Sequence, residues 1–270
     1  MNQLMGEKLS IVTSKAQTTR HRILGIVNDD DYQIVFSDTP GVLDPHYKLH
    51  ENMMKFVNTA LKDADVILFV TDIYEKTVAH EATLERLKKT SIPILLLLNK
   101  IDQGDQTRIE ELVEHWHREL PQAEILPISA LEGFNMEPIW KRILELLPES
   151  PPYYEKDELT DRPMRFFVSE MIREKIFTNY KKEVPYATQV VVEEYKEEEK
   201  IIRIRAVIYV ERKTQKGIII GHEGKKIKQV GIEARKDIQK FAEKKVHLEL
   251  YVKVDENWRQ NERKLEGFGY

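Results

Sequence analysis

Through residues 1–150, short apolar runs alternate with longer stretches in which apolar positions recur three and four residues apart. The runs Ile23–Asn28, Gln33–Ser37, Val66–Thr71, Ile94–Leu98 and Ile125–Ile128 predict strands. The periodic stretches predict helices over about 46–62, 77–90, 105–119 and 136–147. Val66–Val70 and Ile94–Leu98 contain no polar residue, so both strands are expected to be buried on both faces. That is the mark of a sheet sandwiched between helices, and the expected fold class is α/β, doubly wound and mostly parallel.

The rhythm then changes. Pro148, Pro151, Pro152 and Pro163 bracket a polar stretch, Glu149 to Asp161, which reads as a linker. Met164, Phe167, Val168, Met171, Ile172 and Ile176 recur at helical spacing beyond it. Two strands are expected at Thr188–Tyr195 and Ile201–Glu211, with Glu197–Lys200 as the turn between them. A glycine-punctuated helical region runs from Gly217 to Ala242, and a last strand covers Val246–Val254. Helix, two strands, helices, strand is the order of a small α+β domain. The expected organisation is one domain over 1–150, a linker over 151–163 and a second domain over 164–270.

Charge narrows the functional classes. The net charge is −4, which excludes a uniformly basic nucleic-acid coat, so any RNA site has to be a local patch. With no cysteine the chain offers neither a disulfide nor a thiolate metal site, which fits a reducing compartment. Apolar runs such as Ile94–Leu98 are far shorter than the roughly 20 residues of a membrane span, and Met1–Ser10 lacks a signal-peptide core. A soluble, cytoplasmic protein is expected.

Chemistry-bearing motifs follow the predicted strands. Asn99-Lys100-Ile101-Asp102 comes directly after Ile94–Leu98, and ligands of open α/β sheets sit at the carboxyl ends of strands. An ionised Asp102 can accept hydrogen bonds from N1–H and the exocyclic amine of guanine, while adenine would present a lone pair there. Asn99 would tie loops together and the Lys100 stem would cover the base. Asp38-Thr39-Pro40-Gly41 follows Gln33–Ser37 in the equivalent place. Its carboxylate can hold a magnesium-bound water, and the Gly41 N–H can approach a terminal phosphate closely. Ser129-Ala130-Leu131 follows the fifth strand, where backbone N–H groups could reach the guanine carbonyl. Thr19, in the polar segment Gln17–Arg20, could ligate magnesium from a mobile loop when a γ-phosphate is present. A lone motif of any of these kinds could be a charged turn; their order along one α/β pattern favours a guanine-nucleotide site. Val42 stands where Ras-like switches carry the glutamine that orients water, so nothing in the sequence assigns that task.

In the second domain, Ile218-Ile219-Ile220-Gly221-His222-Glu223-Gly224-Lys225-Lys226 contains a G-x-x-G loop. Paired glycines let backbone approach a sugar–phosphate chain, and the next helix presents its N-terminus to that anion. Six basic residues, Arg212, Lys213, Lys216, Lys225, Lys226 and Lys228, surround it against Glu223 alone. The apolar Ile218–Ile220 run would floor a groove for unstacked bases. His222 reads as a solvent-facing loop residue. His115 and His117 point to different helix faces, so no metal site is read there. Phe166, Phe167 and Phe177 read as core.

Together these residues resemble the Era family of bacterial GTPases. The resemblance extends to Lys15-Ala16-Gln17-Thr18-Thr19-Arg20-His21-Arg22, Gly231–Asp237 and Val246–Leu250, and covers essentially the whole chain. It implies a Ras-like G domain and a type II KH domain, with GTP, GDP and Mg2+ as ligands. It further implies binding of the 3′ end of small-subunit ribosomal RNA, a role in small-ribosomal-subunit assembly and rRNA maturation, peripheral contact with the membrane, and a monomer. One feature departs from the pattern: no G-x-x-x-x-G-K-[ST] loop occurs in the 270 residues. On the resemblance, the chain starts inside the first helix of the G domain, without the first strand and the loop that cradles phosphates. The sheet is therefore expected to show a gap between Gln33–Ser37 and Val66–Thr71. An alternative is a non-catalytic RNA-binding protein with a remnant G domain. A tRNA-modifying GTPase shares the nucleotide motifs but not the C-terminal pattern.

Overall fold

The computed structural model describes residues 1–13, 15–78 and 80–270. A short α1 (Asn2–Met5) precedes the hairpin β1 (Ile23–Asn28) and β2 (Gln33–Asp38), which pair antiparallel. Then α2 (Lys48–Asp63), β3 (Ile67–Asp72), α3 (Glu81–Lys89), β4 (Ile94–Asn99), α4 (Gln106–Glu119), β5 (Ala123–Pro127) and α5 (Met136–Leu146) alternate. Strands β3, β4 and β5 form a parallel sheet in that order. The pleat sends successive β4 side chains to opposite faces. Leu95 and Leu97 pack with Phe36, Ile139 and Ile143, while Ile94, Leu96 and Leu98 pack with Leu112 and Trp116. Each such fully buried side chain contributes about 1.5–3 kcal/mol, which is why β4 is the spine of this half.

The expected burial of both apolar runs holds for β4 and fails for β3, where Val70 is 56% exposed. The reason lies in its neighbours. One edge of β3 pairs with β4, and the other looks onto a cleft instead of a strand. Strands β2 and β3 belong to separate sheets, so the expected gap between them is present. The outer edge of β1 is not free. Ile26 N–H donates to Leu159 O at 2.8 Å and Gly25 bridges Thr160, so the polar stretch read as a linker lies along the hairpin.

The C-terminal half comprises α6 (Met164–Asn179), β6 (Gln189–Glu197), β7 (Ile201–Val210), α7 (Lys213–Ile220), α8 (Lys225–Ala242), β8 (Lys245–Val254) and α9 (Glu262–Gly267). Its sheet runs β6–β7–β8, with the first pair antiparallel and the second parallel. Helices α6 and α8 cover one face, burying Val168, Ile172, Ile176, Ala206, Ile208, Val230 and Ala234. Among them the guanidinium of Arg173 grips the carboxylate of Glu170 through two hydrogen bonds, one of 2.8 Å, with both side chains buried.

Several contacts join the halves. Trp258 and Leu265 pack against Leu49, Met53 and Val57 of α2, and the Trp258 N–H donates to Ala187 O at 3.1 Å. The segment before β1 is also clamped. The Lys15 ammonium donates to the carbonyls of Phe177 and Tyr180. Buried Arg20 donates to Thr188 O at 2.7 Å and Tyr186 O at 2.9 Å.

Candidate functional site

The turn after β4 is built around Asn99. Its Oδ1 accepts from Lys100 N–H at 2.8 Å and from Ala130 N–H at 3.0 Å, tying the end of β4 to the loop after β5. Lys100 takes a left-handed conformation, φ 62°, that turns the chain so Asp102 comes forward. The buried Ser129 hydroxyl donates to Asp102 Oδ1 at 2.6 Å. Sequence reasoning assigned this loop a backbone role. The structure adds a side-chain role for Ser129, fixing the rotamer of the carboxylate that would read guanine. The Ala130 N–H is engaged by Asn99 in this arrangement, and Leu131 beyond it is exposed.

Two residues the sequence reading passed over complete the turn. Lys100 Nζ lies 2.5 Å from Asp72 Oδ2 and 5.8 Å from the Tyr74 ring centre. Burial opposes ionisation of Asp72, but the hydrogen bond and charge of Lys100 together with the backbone N–H groups of Tyr74 and Glu75 outweigh it and hold the carboxyl below its ordinary range. Asp72 ends β3 in register with Asn99, the same topological position that singled out Asn99, so its place in the sheet was the available signal.

Asp38 ends β2 and accepts a hydrogen bond from the Ser10 hydroxyl. Burial pushes its carboxyl above the ordinary range despite that bond. Ser10 went unnoticed because a lone serine in a polar segment carries no pattern. Pro40 is buried, Thr39 half-buried and Gly41 exposed. Thr19 is half-buried, and among the described residues no hydrogen bond joins it to Asp38. Its segment was expected to be a mobile loop. Instead Lys15 and Arg20 pin it to carbonyls of the C-terminal half, because each cation finds main-chain acceptors there. Buried His21 stacks on Tyr270 with ring centres 4.2 Å apart, and burial pushes its imidazole down to about 4.

The G-x-x-G loop joins α7 to α8. Gly221 has φ 69° and Gly224 φ 73°, so both positions demand glycine, and Gly224 sits at the N-terminus of α8. His222, Glu223, Lys225 and Lys226 are exposed on this tip, and Lys225 Nζ lies 2.9 Å from Glu223. Ile218 is 45% exposed. Ile219 corrects the sequence reading: it is fully buried in the core, and its carbonyl accepts from the Tyr180 hydroxyl at 2.6 Å. The apolar run is the last turn of α7, and a helix cannot present consecutive side chains to one surface. Phe167 and Phe177 are core, as expected.

These features define a class: a guanine-nucleotide switch domain carried with an RNA-binding KH domain. Residues 1–100 match the family model described as 50S ribosome-binding GTPase, and residues 183–259 match that of the KH domain. The chain is 42% identical over 273 residues to GTPase Era of Alkaliphilus metalliredigens, covering all of this chain and 92% of that protein. It is 42% identical to GTPase Era of Lactobacillus helveticus, covering 90% of it. Among solved structures, Era in complex with MgGDPNP and nucleotides 1506–1542 of 16S ribosomal RNA superposes with a TM-score of 0.94 at 36% identity, covering all of this chain and 92% of that one. A variant of Aquifex aeolicus Era bound to GDP·AlF4− gives 0.94 at 36% identity, covering 93% of that chain. The chain belongs to the Era family of GTPases. Its fold is that of the family, a G domain with a mostly parallel sheet followed by a KH domain.

Proposed function

We propose that this protein is a GTP-dependent RNA-binding factor that acts in small-ribosomal-subunit assembly and rRNA maturation, binding the 3′ end of the small-subunit rRNA. Residues 1–150 serve as the G domain, 151–163 as the linker and 164–270 as the KH domain. The observation that carries this reading is the pre-set turn in which Asn99 ties the end of β4 to Ala130 while the Ser129 hydroxyl holds the Asp102 carboxylate ready for guanine. Asp102 would pair with the base, Lys100 and Tyr74 would flank it, and Asp38 with Thr19 would hold Mg2+ beside the terminal phosphate. Magnesium would neutralise the phosphate oxygens there. The donor set fits a hard cation, since carboxylate and hydroxyl oxygens are its preferred ligands. At the other end, Gly221 to Lys226 would grip the RNA backbone, with Ile218 offering the apolar contact. The relative solved with MgGDPNP and a 16S rRNA segment supports both ends of the reading. The protein would work as a cytoplasmic monomer with peripheral access to the membrane; no helix among the described residues is long and apolar enough to cross one.

The deciding experiment is equilibrium binding of fluorescent GTP and ATP to the purified chain, with and without an RNA oligonucleotide of the 16S 3′-terminal sequence. Saturable GTP binding at least tenfold tighter than ATP, with sequence-dependent RNA binding, is expected. RNA binding without any nucleotide preference would replace this reading with that of a KH-driven RNA-binding protein.

A further inference from the structure

Helices α6 and α8 lie antiparallel, so each step toward the end of α6 is a step toward the start of α8. Lys175 Nζ meets Asp237 Oδ2 at 2.5 Å, and one turn on, the Asn179 side-chain amide donates to Glu233 Oε2 at 2.7 Å. Carried one turn further, this register brings the loop after α6 beside the first turn of α8. Tyr180, which opens that loop, fixes the placement. Its hydroxyl donates to Ile219 O at 2.6 Å, two residues before Gly221, and its ring centre lies 5.9 Å from Lys226 Nζ.

The Lys226 side chain links the two places. A Cβ on Gly221 would stand 2.7 Å from Lys226 Cγ, so the lysine stem fills the space beside Gly221 and carries its ammonium on to the Tyr180 ring. The loop beyond Tyr180 holds charge of its own. Lys181 and Lys182 are exposed, and among the described residues neither they nor Lys226 join an ion pair. Carboxylates at this end of the domain are engaged elsewhere: Asp237 by Lys175, Glu233 by Asn179 and Gln229, and Glu223 by Lys225. Glu183 is the loop's own exposed acid. Lys182 also holds φ 56°, in the left-handed region where glycine or asparagine costs least, so the turn keeps an ammonium there at a conformational cost.

From this we infer that Lys181 and Lys182 form a second phosphate-binding element, which continues the RNA path from the G-x-x-G tip across Tyr180 onto the loop after α6. A G-x-x-G loop clamps about four nucleotides, and the strand has to leave the tip along some surface. Ammonium groups without carboxylate partners are the footprint of a phosphate chain, and Lys226, Lys181 and Lys182 lay one down in that direction. The contacts read backbone charge and add length to the footprint without adding base specificity. The inference rests on the RNA-binding reading of the tip.

The test uses the whole chain and RNA oligonucleotides of the 16S 3′-terminal sequence. Tetranucleotides are tiled across it, and the tightest is lengthened by three nucleotides at its 5′ or its 3′ end. Fluorescence anisotropy between about 50 and 200 mM KCl reads the affinity and its salt slope. One extension should tighten wild-type binding about tenfold. The variant Lys181→Gln, Lys182→Gln should lose that gain and bind the tetranucleotide as before. Its salt slope on the longer strand should be shallower by about 1.4, or 0.7 for each lysine removed. Lys181→Arg with Lys182→Arg keeps both charges and should keep the gain. Both positions are exposed, so neither variant puts folding at stake. A glutamine variant that gains as much from the extension as the wild type overturns the proposal. So does one that weakens tetranucleotide and longer strand equally, which would mark a diffuse charge effect. A wild type that binds tetranucleotides but gains from neither extension overturns this proposal alone. A wild type that binds none of the oligonucleotides overturns the RNA reading of the tip, and this proposal with it.

Discussion

Replacing Arg173 by methionine should be among the most damaging single changes in the C-terminal half, and its cost should reverse the pH dependence of stability. Arg173 and Glu170 lie one turn apart on α6, with side chains 1% and 7% exposed. The guanidinium also lies over Phe177, 5.4 Å from its ring centre, while His21, Arg20 and Tyr270 face the pair from neighbouring segments. Burial alone would raise the Glu170 pKa, but the charge and hydrogen bonds of Arg173, with smaller help from His21 and Arg20, together overcome it and hold the carboxyl below its ordinary range. In the native protein the folded-state pKa is thus depressed. The pair's contribution is present above a glutamate's usual value of about 4.3 and is lost as pH falls through the folded value. Methionine keeps most of the volume but leaves Glu170 buried without its partner. Breaking a buried pair from one side costs about 3–5 kcal/mol, a large share of the 5–15 kcal/mol that holds a domain together. Without Arg173, burial dominates and the Glu170 pKa rises above 4.3, so the variant should gain stability as pH falls from 7 toward 5. Urea unfolding followed by circular dichroism at pH 7, 6 and 5 reads both the magnitude and the slope. The companion double variant Glu170→Leu, Arg173→Met removes both charges and should recover most of the loss. A loss under 1 kcal/mol for the single variant, or a double variant as unstable as the single one, would refute the reasoning.

Three further outcomes are expected. Asp102→Asn should lower GTP affinity about tenfold to a hundredfold, the equivalent of 1.5–3 kcal/mol for a charged hydrogen bond, and raise affinity for xanthosine triphosphate; unchanged GTP affinity would remove Asp102 from the site. Gly221→Asp with Gly224→Asp should abolish RNA binding in a filter assay, because side chains and charge meet the phosphates. Both glycines hold positive φ, so that variant also carries about 1–3 kcal/mol of strain per site; Lys225→Glu with Lys228→Glu is the unstrained control, and an unaltered salt dependence of RNA affinity in it would count against the basic tip. Trp258→Ala should cost about 3–5 kcal/mol in urea unfolding, since the indole is fully buried between α2 and the C-terminal sheet; a loss below 1 kcal/mol would show that this contact is dispensable.

Local pattern carried the element order, because period and turn chemistry are local properties. It identified every strand, with β5 starting two residues early at Ala123 because exposed Glu124 broke the apolar run. It placed the second helical region from Gly217, whereas α7 begins at Lys213, set by the reciprocal bonds of Arg212 and Gln215. What pattern could not carry was burial that depends on distant chain. Val70 and Leu96 look alike in sequence, yet only Leu96 has strands on both sides. The turn after β4 was legible from Asn99 and Asp102, while Ser10, Asp72 and Tyr74 enter through partners 28, 28 and 29 residues away. Docking of Trp258 on α2 bridges about two hundred residues and leaves no periodic trace.

The clamp at Lys15 and Arg20 differs in kind from the ion pairs of the molecule, because its acceptors are carbonyl oxygens. A carbonyl neither titrates nor recruits a counterion. At 1 M salt, where the Debye length is about 3 Å, exposed ion pairs such as Lys48–Glu51 fade, but a buried guanidinium bound to peptide oxygens is screened far less. A chain nicked by protease in the exposed stretch near Pro151 should therefore elute from a sizing column as one particle in strong brine. Only a denaturant that competes for peptide groups would part the two fragments.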